Sequence, residues 1–162
     1  MKRFLPLILL AFAACSPQTA QGNAAAAPVP QAASSRHPVS GLEVIPLTVT
    51  QDGTVHHFRV EVAASDEEQE HGLMFRKEMG KDEGMIFPRK VPMPATFWMK
   101  NTVIPLDIIF IGSDHRIINI EANAKPYSLD PRQSGGLAIA VLELNGGRAA
   151  QLGIGPGAKV EW

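Results

Sequence analysis

Residues 42–62 read LEVIPLTVTQDGTVHHFRVEV. Two apolar segments, 42–50 and 55–62, flank Gln51-Asp52-Gly53, where Asp-Gly readily supplies the positive φ angles of a tight hairpin turn. In the second segment Phe58, Val60 and Val62 recur in phase with a strand whose alternate side chains share one face. The stretch therefore predicts two antiparallel strands joined by a short turn.

The same punctuation continues to the C-terminus. Short apolar runs at 84–87, 95–101, 106–111, 116–122, 137–144 and 158–162 are bounded by Gly, Pro, Asn and Asp, the pattern of strands rather than long helices. Gly112-Ser113-Asp114-His115 reads as a further hairpin loop. Ser65-Asp66-Glu67-Glu68 is a capping box that opens a helix of about two turns, ended by Gly72. Residues 146–152 suit a second short helix stopped by Gly153. Without βαβ alternation, the expected fold is mainly β, a compact antiparallel sandwich or barrel-like domain with one or two short helices. Residues 123–136, NAKPYSLDPRQSGG, carry no regular pattern, and loops of that length are usually functional or mobile.

The N-terminal stretch MKRFLPLILLAFAAC has signal-peptide anatomy, with Lys2 and Arg3 ahead of an uncharged run ending in small residues. At about 1.5 Å per residue, the run from Phe4 to Ala14 covers about half of a roughly 30 Å hydrocarbon core, too little for a permanent span. Phe12-Ala13-Ala14-Cys15 resembles the lipobox of bacterial lipoproteins, with Phe in place of the usual Leu. Residues 1–14 are expected to be removed, and Cys15 to carry lipid as a membrane anchor. The alternative is an ordinary secretory cut leaving one free thiol. Ser16 after the cysteine resembles the sorting pattern for the outer membrane, so the expected location is the periplasm-facing envelope. Residues 15–40 are rich in Ala, Pro and Gln and predict a flexible tether to a domain over 41–162.

Composition narrows the function. Of the 162 residues, 45% are hydrophobic and 19% charged, a balance that suits a globular chain. From residue 37 onward there are 12 basic against 16 acidic residues, which disfavours neutralisation of nucleic-acid phosphates. Cys15 is the only cysteine, so neither an intramolecular disulfide nor a cysteine-built zinc site is available.

Three blocks then stand in a characteristic order: Gly72-Leu73-Met74-Phe75-Arg76, Gly84-Met85-Ile86-Phe87, and Phe97-Trp98-Met99-Lys100-Asn101-Thr102 running on through Ile104-Pro105-Leu106-Asp107. With Val141-Leu142-Glu143, Gly147, Leu152-Gly153-Ile154 and Gly157 behind them, residues 43–162 resemble the DUF192 family of bacteria and archaea. The resemblance implies a compact, mostly β fold and supplies no reaction. Where many relatives have arginines, Gln69 and His71 stand here, and Tyr127 replaces a loop cysteine found in several.

Asp107, between Leu106 and Ile108, is a carboxylate in a run that should be buried, where it must be paired, hydrogen-bonded or protonated. It is expected to pair with Lys100 or Arg76, or to accept backbone amides. The functional alternative has Asp107, Glu143, Arg76, Lys100 and Asn101 converging on one patch, with Asp107 or Glu143 as a general base. Lys100 and Asn101, near a strand end, are candidate ligand contacts. Trp98 and Phe97 should face opposite ways. Core or interface packing is expected for Trp98, and a binding platform beside Lys100 is the alternative.

Met74, Met79, Met85, Met93 and Met99 are thioethers of a kind that can hold Cu(I), but three of them lie in apolar motifs where methionine fills core gaps. The histidines lack metal-ligand spacing and are expected to be solvated, and no metal or other cofactor is implied. No GxSxG or phosphate-binding glycine loop is present. The expected function is a non-catalytic, lipid-anchored envelope module that binds a glycan, a peptidoglycan fragment or an envelope protein through Arg76, Trp98, Lys100, Asn101 and the 123–136 loop. The alternative is a small hydrolase or lyase using Asp107 or Glu143 as base with Lys100 or Arg76 stabilising an anion.

Overall fold

The computed structural model describes residues 35–162, so the expected signal peptide, Cys15 and most of the expected tether lie outside the described residues. The elements in chain order are β1 (Ser35–Arg36), β2 (Glu43–Gln51), β3 (Thr54–Val62), α1 (Asp66–His71), β4 (Glu83–Met93), β5 (Thr96–Phe97), β6 (Leu106–Gly112), β7 (Ile117–Ala124), β8 (Arg132–Gln133), β9 (Ala138–Asn145), α2 (Arg148–Gln151) and β10 (Lys159–Glu161). The fold is mainly β with two short helices. β2 and β3 form the expected hairpin about Asp52-Gly53, pairing Leu47 with Phe58.

The main sheet is mixed rather than purely antiparallel. Its order is β1-β2-β3-β4-β9-β6-β7, with β10 on β2, and β3 runs parallel to β4. The reason is the connection: α1 and residues 72–82 carry the chain back, so β4 starts in the same direction as β3, as only a crossover permits. β10 also reaches the far edge, where Ile117 N donates to Ala158 O at 2.9 Å and Arg116 bridges to Lys159. The sheet thereby closes into a barrel. Its interior holds Leu47, Val49, Phe58, Val60, Ile86, Ile109, Leu142 and Val160, contributed alternately by the strands around it.

A second apolar cluster lies outside this ring, on the face of β4, β9 and β6 that carries Met85, Phe87, Ile108, Phe110 and Val141. Leu73, Ala95 and Met99 cover it from above. A strand at 95–101 is only partly realised: Thr96 and Phe97 pair with Gln133 and Arg132, after which the chain turns, with Asn101 at φ 55°. The 123–136 segment also departs from its patternless reading. It contributes β8, and backbone bonds from Met99 N to Ser128 O, Tyr127 N to Thr102 O and Ser134 N to Ala95 O hold it against residues 95–102.

One end of the barrel is plugged by α2 and the turn behind it, which pack Ala149 and Ile154 on the interior cluster. Asp107 holds this plug. Its Oδ1 accepts from Asn123 N and Gly147 N, and its Oδ2 from Ala149 N, each at 2.8 Å. Gly147, the N-cap, sits at φ 80°, a backbone state for which glycine carries no Cβ penalty. Asp107 pairs with neither Lys100 nor Arg76; the backbone-amide expectation is the one the structure realises. Asp107→Asn places an NH2 group against at least one of these amides and should lower unfolding free energy by about 2–4 kcal/mol. Urea titration checks this, and a loss below about 0.5 kcal/mol would contradict the assignment.

Candidate functional site

Two open clefts lie on either side of Gly72 to Met74. The larger, about 1030 Å³, is bounded by residues 37–42, α1 and residues 74–80. The smaller, about 340 Å³, has Phe87 and Glu143 among its lining residues, one wall from residues 69–74 and the other from Thr96, Phe97, Trp98, Lys100 and Thr102.

Local structure explains why both walls of the smaller cleft are fixed. The Ser65 capping box forms as expected, with Glu68 Oε2 accepting from Ser65 N and Ala64 N at 2.8 Å. These backbone donors hold the exposed Glu68 carboxyl below its usual range. Gln69 Nε2 then donates to Ala63 O at 3.1 Å and to Pro88 O at 2.9 Å, pinning α1 beside β4. On the other wall Phe75 N donates to Asn101 O at 2.9 Å and Asn101 Nδ2 approaches Met74 Sδ at 3.7 Å. Thr102 N donates to Met99 O, closing the turn. Asn101 therefore shapes the turn that presents Lys100 and does not itself line the cleft.

Phe97 turns inward, edge-on to Phe87 with centroids 5.0 Å apart. Trp98 turns outward and is 49% exposed, against the expectation of core packing. Lys100 Nζ lies 5.1 Å from the centre of its ring, a cation–π pair at the cleft rim.

Glu143 is 4% exposed, next to Met85 on β4 and Ile108 on β6. Among the described residues its side chain has no hydrogen-bond or ion-pair partner. Burial pushes its carboxyl up to about 8. Gly84 accounts for the tight strand contact beside it, since a Cβ there would come 2.5 Å from the Glu143 carbonyl oxygen. Arg89 lines the same cleft, in phase with Met85 and Phe87 on β4. Its Nε is buried without a hydrogen-bond partner among the described residues, and burial pushes the guanidinium downward.

The five charged and polar candidates do not converge on one patch. Trp98, Lys100 and Glu143 share the smaller cleft, whereas Asp107 lies at the barrel end and Asn101 supports the turn. Arg76 faces the larger cleft with its guanidinium bound to Glu61 through Nη1 at 2.7 Å and Nη2 at 3.0 Å. Ser40 Oγ donates to the same carboxylate, and His37 Nε2 lies 3.7 Å from it, so His37 is not the solvated side chain expected. The 123–136 loop contributes no residue to the smaller cleft.

Sequence reading missed Glu61 and Arg89. Glu61 alternates with Val60 and Val62, which reads as a solvated strand face. Arg89 follows Pro88 at an apparent strand end, and its phase with Met85 and Phe87 is the one signal that places it on the cleft face.

The Glu143 geometry fixes a pH dependence. A carboxyl with a folded-state pKa raised above its unfolded value favours folding when protonated, and that contribution is lost as pH rises toward about 8. Glu143→Gln should therefore gain on the parent chain between pH 5 and pH 8, by a few kcal/mol in all, with the gap level at higher pH. Urea midpoints across that range test this. A gap independent of pH would mean that Glu143 is ionised throughout.

Comparison with known proteins follows the same outline. Residues 47–162 match the DUF192 family, described as "Uncharacterized ACR". A crystal structure of a protein of unknown function from Novosphingobium aromaticivorans DSM 12444 is 59% identical, with a TM-score of 0.79 over 82% of this chain and 94% of that one. A second, from Sinorhizobium meliloti 1021 and described as a "putative transcription regulator", is 39% identical, with a TM-score of 0.72 over 74% of this chain and 94% of that one. No curated protein matches the chain. The three sequence blocks that build the cleft walls and floor, the barrel and the match over residues 47–162 agree: this chain belongs to the DUF192 family.

Proposed function

We propose that this chain is a lipid-anchored binding module of the cell envelope that holds a polar ligand in the smaller cleft. One observation carries the reading: a buried carboxyl without a partner among the described residues, Glu143, in a cleft whose rim presents an exposed Trp98 and Lys100. A buried polar group is ordinarily satisfied from within the protein, and one left open toward a cleft is a vacancy that ligand atoms can fill. Exposed tryptophan faces hold rings and apolar bodies, and an adjacent cation fixes orientation. A glycan, a peptidoglycan fragment or a segment of an envelope protein presents such groups. The N-terminal signal, Cys15 and Ser16 support an anchor on the periplasmic side of the outer membrane.

The acidic balance of the domain gives no support for carrying the transcription-regulator description of the Sinorhizobium protein over to this chain. A second reading rests on Glu143 alone. A carboxyl whose proton is held up to about 8 suits general acid–base chemistry in an open cleft, with Lys100 stabilising an anion. Asp107 and Arg76 are engaged elsewhere and take no part in it.

The binding reading is tested by thermal shift of the full chain against muropeptides, simple glycans and small carboxylates. A ligand at 100 times its Kd adds about 2.7 kcal/mol and moves the midpoint by several degrees. The shift should vanish in Trp98→Ala and Lys100→Ala while their own midpoints stay near the parent value. A shift that survives both substitutions would place the ligand elsewhere. Conversion of a shifting compound, lost in Glu143→Gln, would favour the enzymatic reading. For the anchor, Cys15→Ser should abolish incorporation of labelled palmitate in cells and release the protein from the membrane pellet. Label retained by that variant would overturn it.

A further inference from the structure

We propose that the cleft takes a small carboxylate-bearing ligand, its acid group between Arg89 and Lys100, its ring or apolar body against Trp98, and the Glu143 carboxyl beneath it. This inference rests on the binding reading above and names the ligand class.

Two cations, Arg89 and Lys100, line the cleft against two carboxyls, Glu70 at the end of α1 and the buried Glu143. Among the described residues neither cation has an acidic partner. The Arg89 Nε is buried without a hydrogen-bond acceptor among the described residues, so the terminal N–H groups of the guanidinium are the ones left to meet a ligand oxygen. A guanidinium and an ammonium lining one cleft are the groups that recognise a carboxylate, the first by its fork and the second as a point charge.

Glu143 at first opposes an anion, and its burial resolves the conflict. Held up to about 8, the carboxyl is protonated at neutral pH and donates an O–H to a ligand oxygen instead of repelling it. Other ligand charges fit worse. An ammonium group would meet Arg89 and Lys100 as like charges, and a neutral ring would leave both cations without a counter-charge. The strand geometry sets the shape. Glu143 lies opposite Met85, and Arg89 stands four residues further along β4 on the same face, with Phe87 between them. A ligand reaching both therefore has to extend along β4 past Phe87, whose own ring is buried.

The charged and titratable groups facing the cleft are Glu70 and His71 from the end of α1, Arg89 from β4, Lys100 from the turn after β5, and Glu143 from β9. Of these, Glu143 is the group whose proton loss near pH 8 turns a donor into a repelling charge.

The test is calorimetric titration of the full chain with matched probes that share a ring and differ in the acid: N-acetylmuramic acid against N-acetylglucosamine, and indole-3-acetate against its amide. At pH 6.5 each acid should bind at least about tenfold more tightly than its neutral partner, and that preference should vanish in Lys100→Ala and reverse in Lys100→Glu. Lys100 is exposed, so these variants should fold even if Arg89→Ala does not. Affinity for the acids should fall at least about tenfold between pH 6.5 and pH 9 in the parent chain and stay level in Glu143→Gln. Equal binding of acid and neutral probes, lost in Trp98→Ala, would overturn the carboxylate class and leave the binding reading intact. Binding of neither probe, with a muropeptide or neutral glycan still giving a Trp98-dependent shift, would do the same. Failure of every compound to respond to Trp98→Ala or Lys100→Ala would overturn both.

Discussion

The Asp107 carboxylate ties three separate parts of the chain to one buried point. Its three amide partners come from the end of β7, the N-cap of α2 and the first turn of that helix. A four-residue helix has too little intrinsic stability to hold itself. It forms because a carboxylate stands at its positive end and accepts donors that the helix cannot satisfy alone. With α2 in place, Ala149 and Ile154 close the barrel interior, and the chain turns at Gly155-Pro156-Gly157 into β10. β10 in turn joins β2 to the start of β7. Removing the carboxylate thus loosens the plug and the closing strand together.

Three buried carboxylates show three solutions to the same cost. Asp107 is satisfied by backbone amides and Glu61 by Arg76, Ser40 and the approach of His37. The second pair also fastens residues 37–42 to the barrel, so the ordered domain begins before residue 41. Glu143 has neither solution and is held protonated by burial instead. A group maintained in this state contributes nothing to stability at neutral pH that glutamine would not supply. It is placed in an open cleft whose lining also includes Trp98, Lys100 and Arg89.

Much of the fold was legible because its signals are local. Asp52-Gly53 encodes a turn within a few residues, Ser65 and Glu68 satisfy each other within one helical turn, and alternation places Phe97 and Trp98 on opposite faces. The parallel β3–β4 pair was not legible, since strand direction depends on where residues 63–82 carry the chain. Nor was β8, whose two residues are ordered by pairing with β5 rather than by any preference of their own. Of the core or interface packing expected for Trp98, the core half is not realised. Trp98 is exposed because Phe97 occupies the inward position beside Phe87.

The sequence by itself determined the longer strands, the capped helix, the family membership and the residue types available for chemistry, because these follow from spacing and from groups a few positions apart. Tertiary structure alone decided which charges met. Arg76 found Glu61 across 15 positions, Asp107 found amides up to 42 positions away, and Glu143 found no partner among the described residues. Coulombic and hydrogen-bond energies depend on distances of a few ångströms in a low-dielectric interior, and sequence separation carries no information about those distances. The division between the two carboxylates bound within the scaffold and the one lining a cleft is therefore a property of the folded chain.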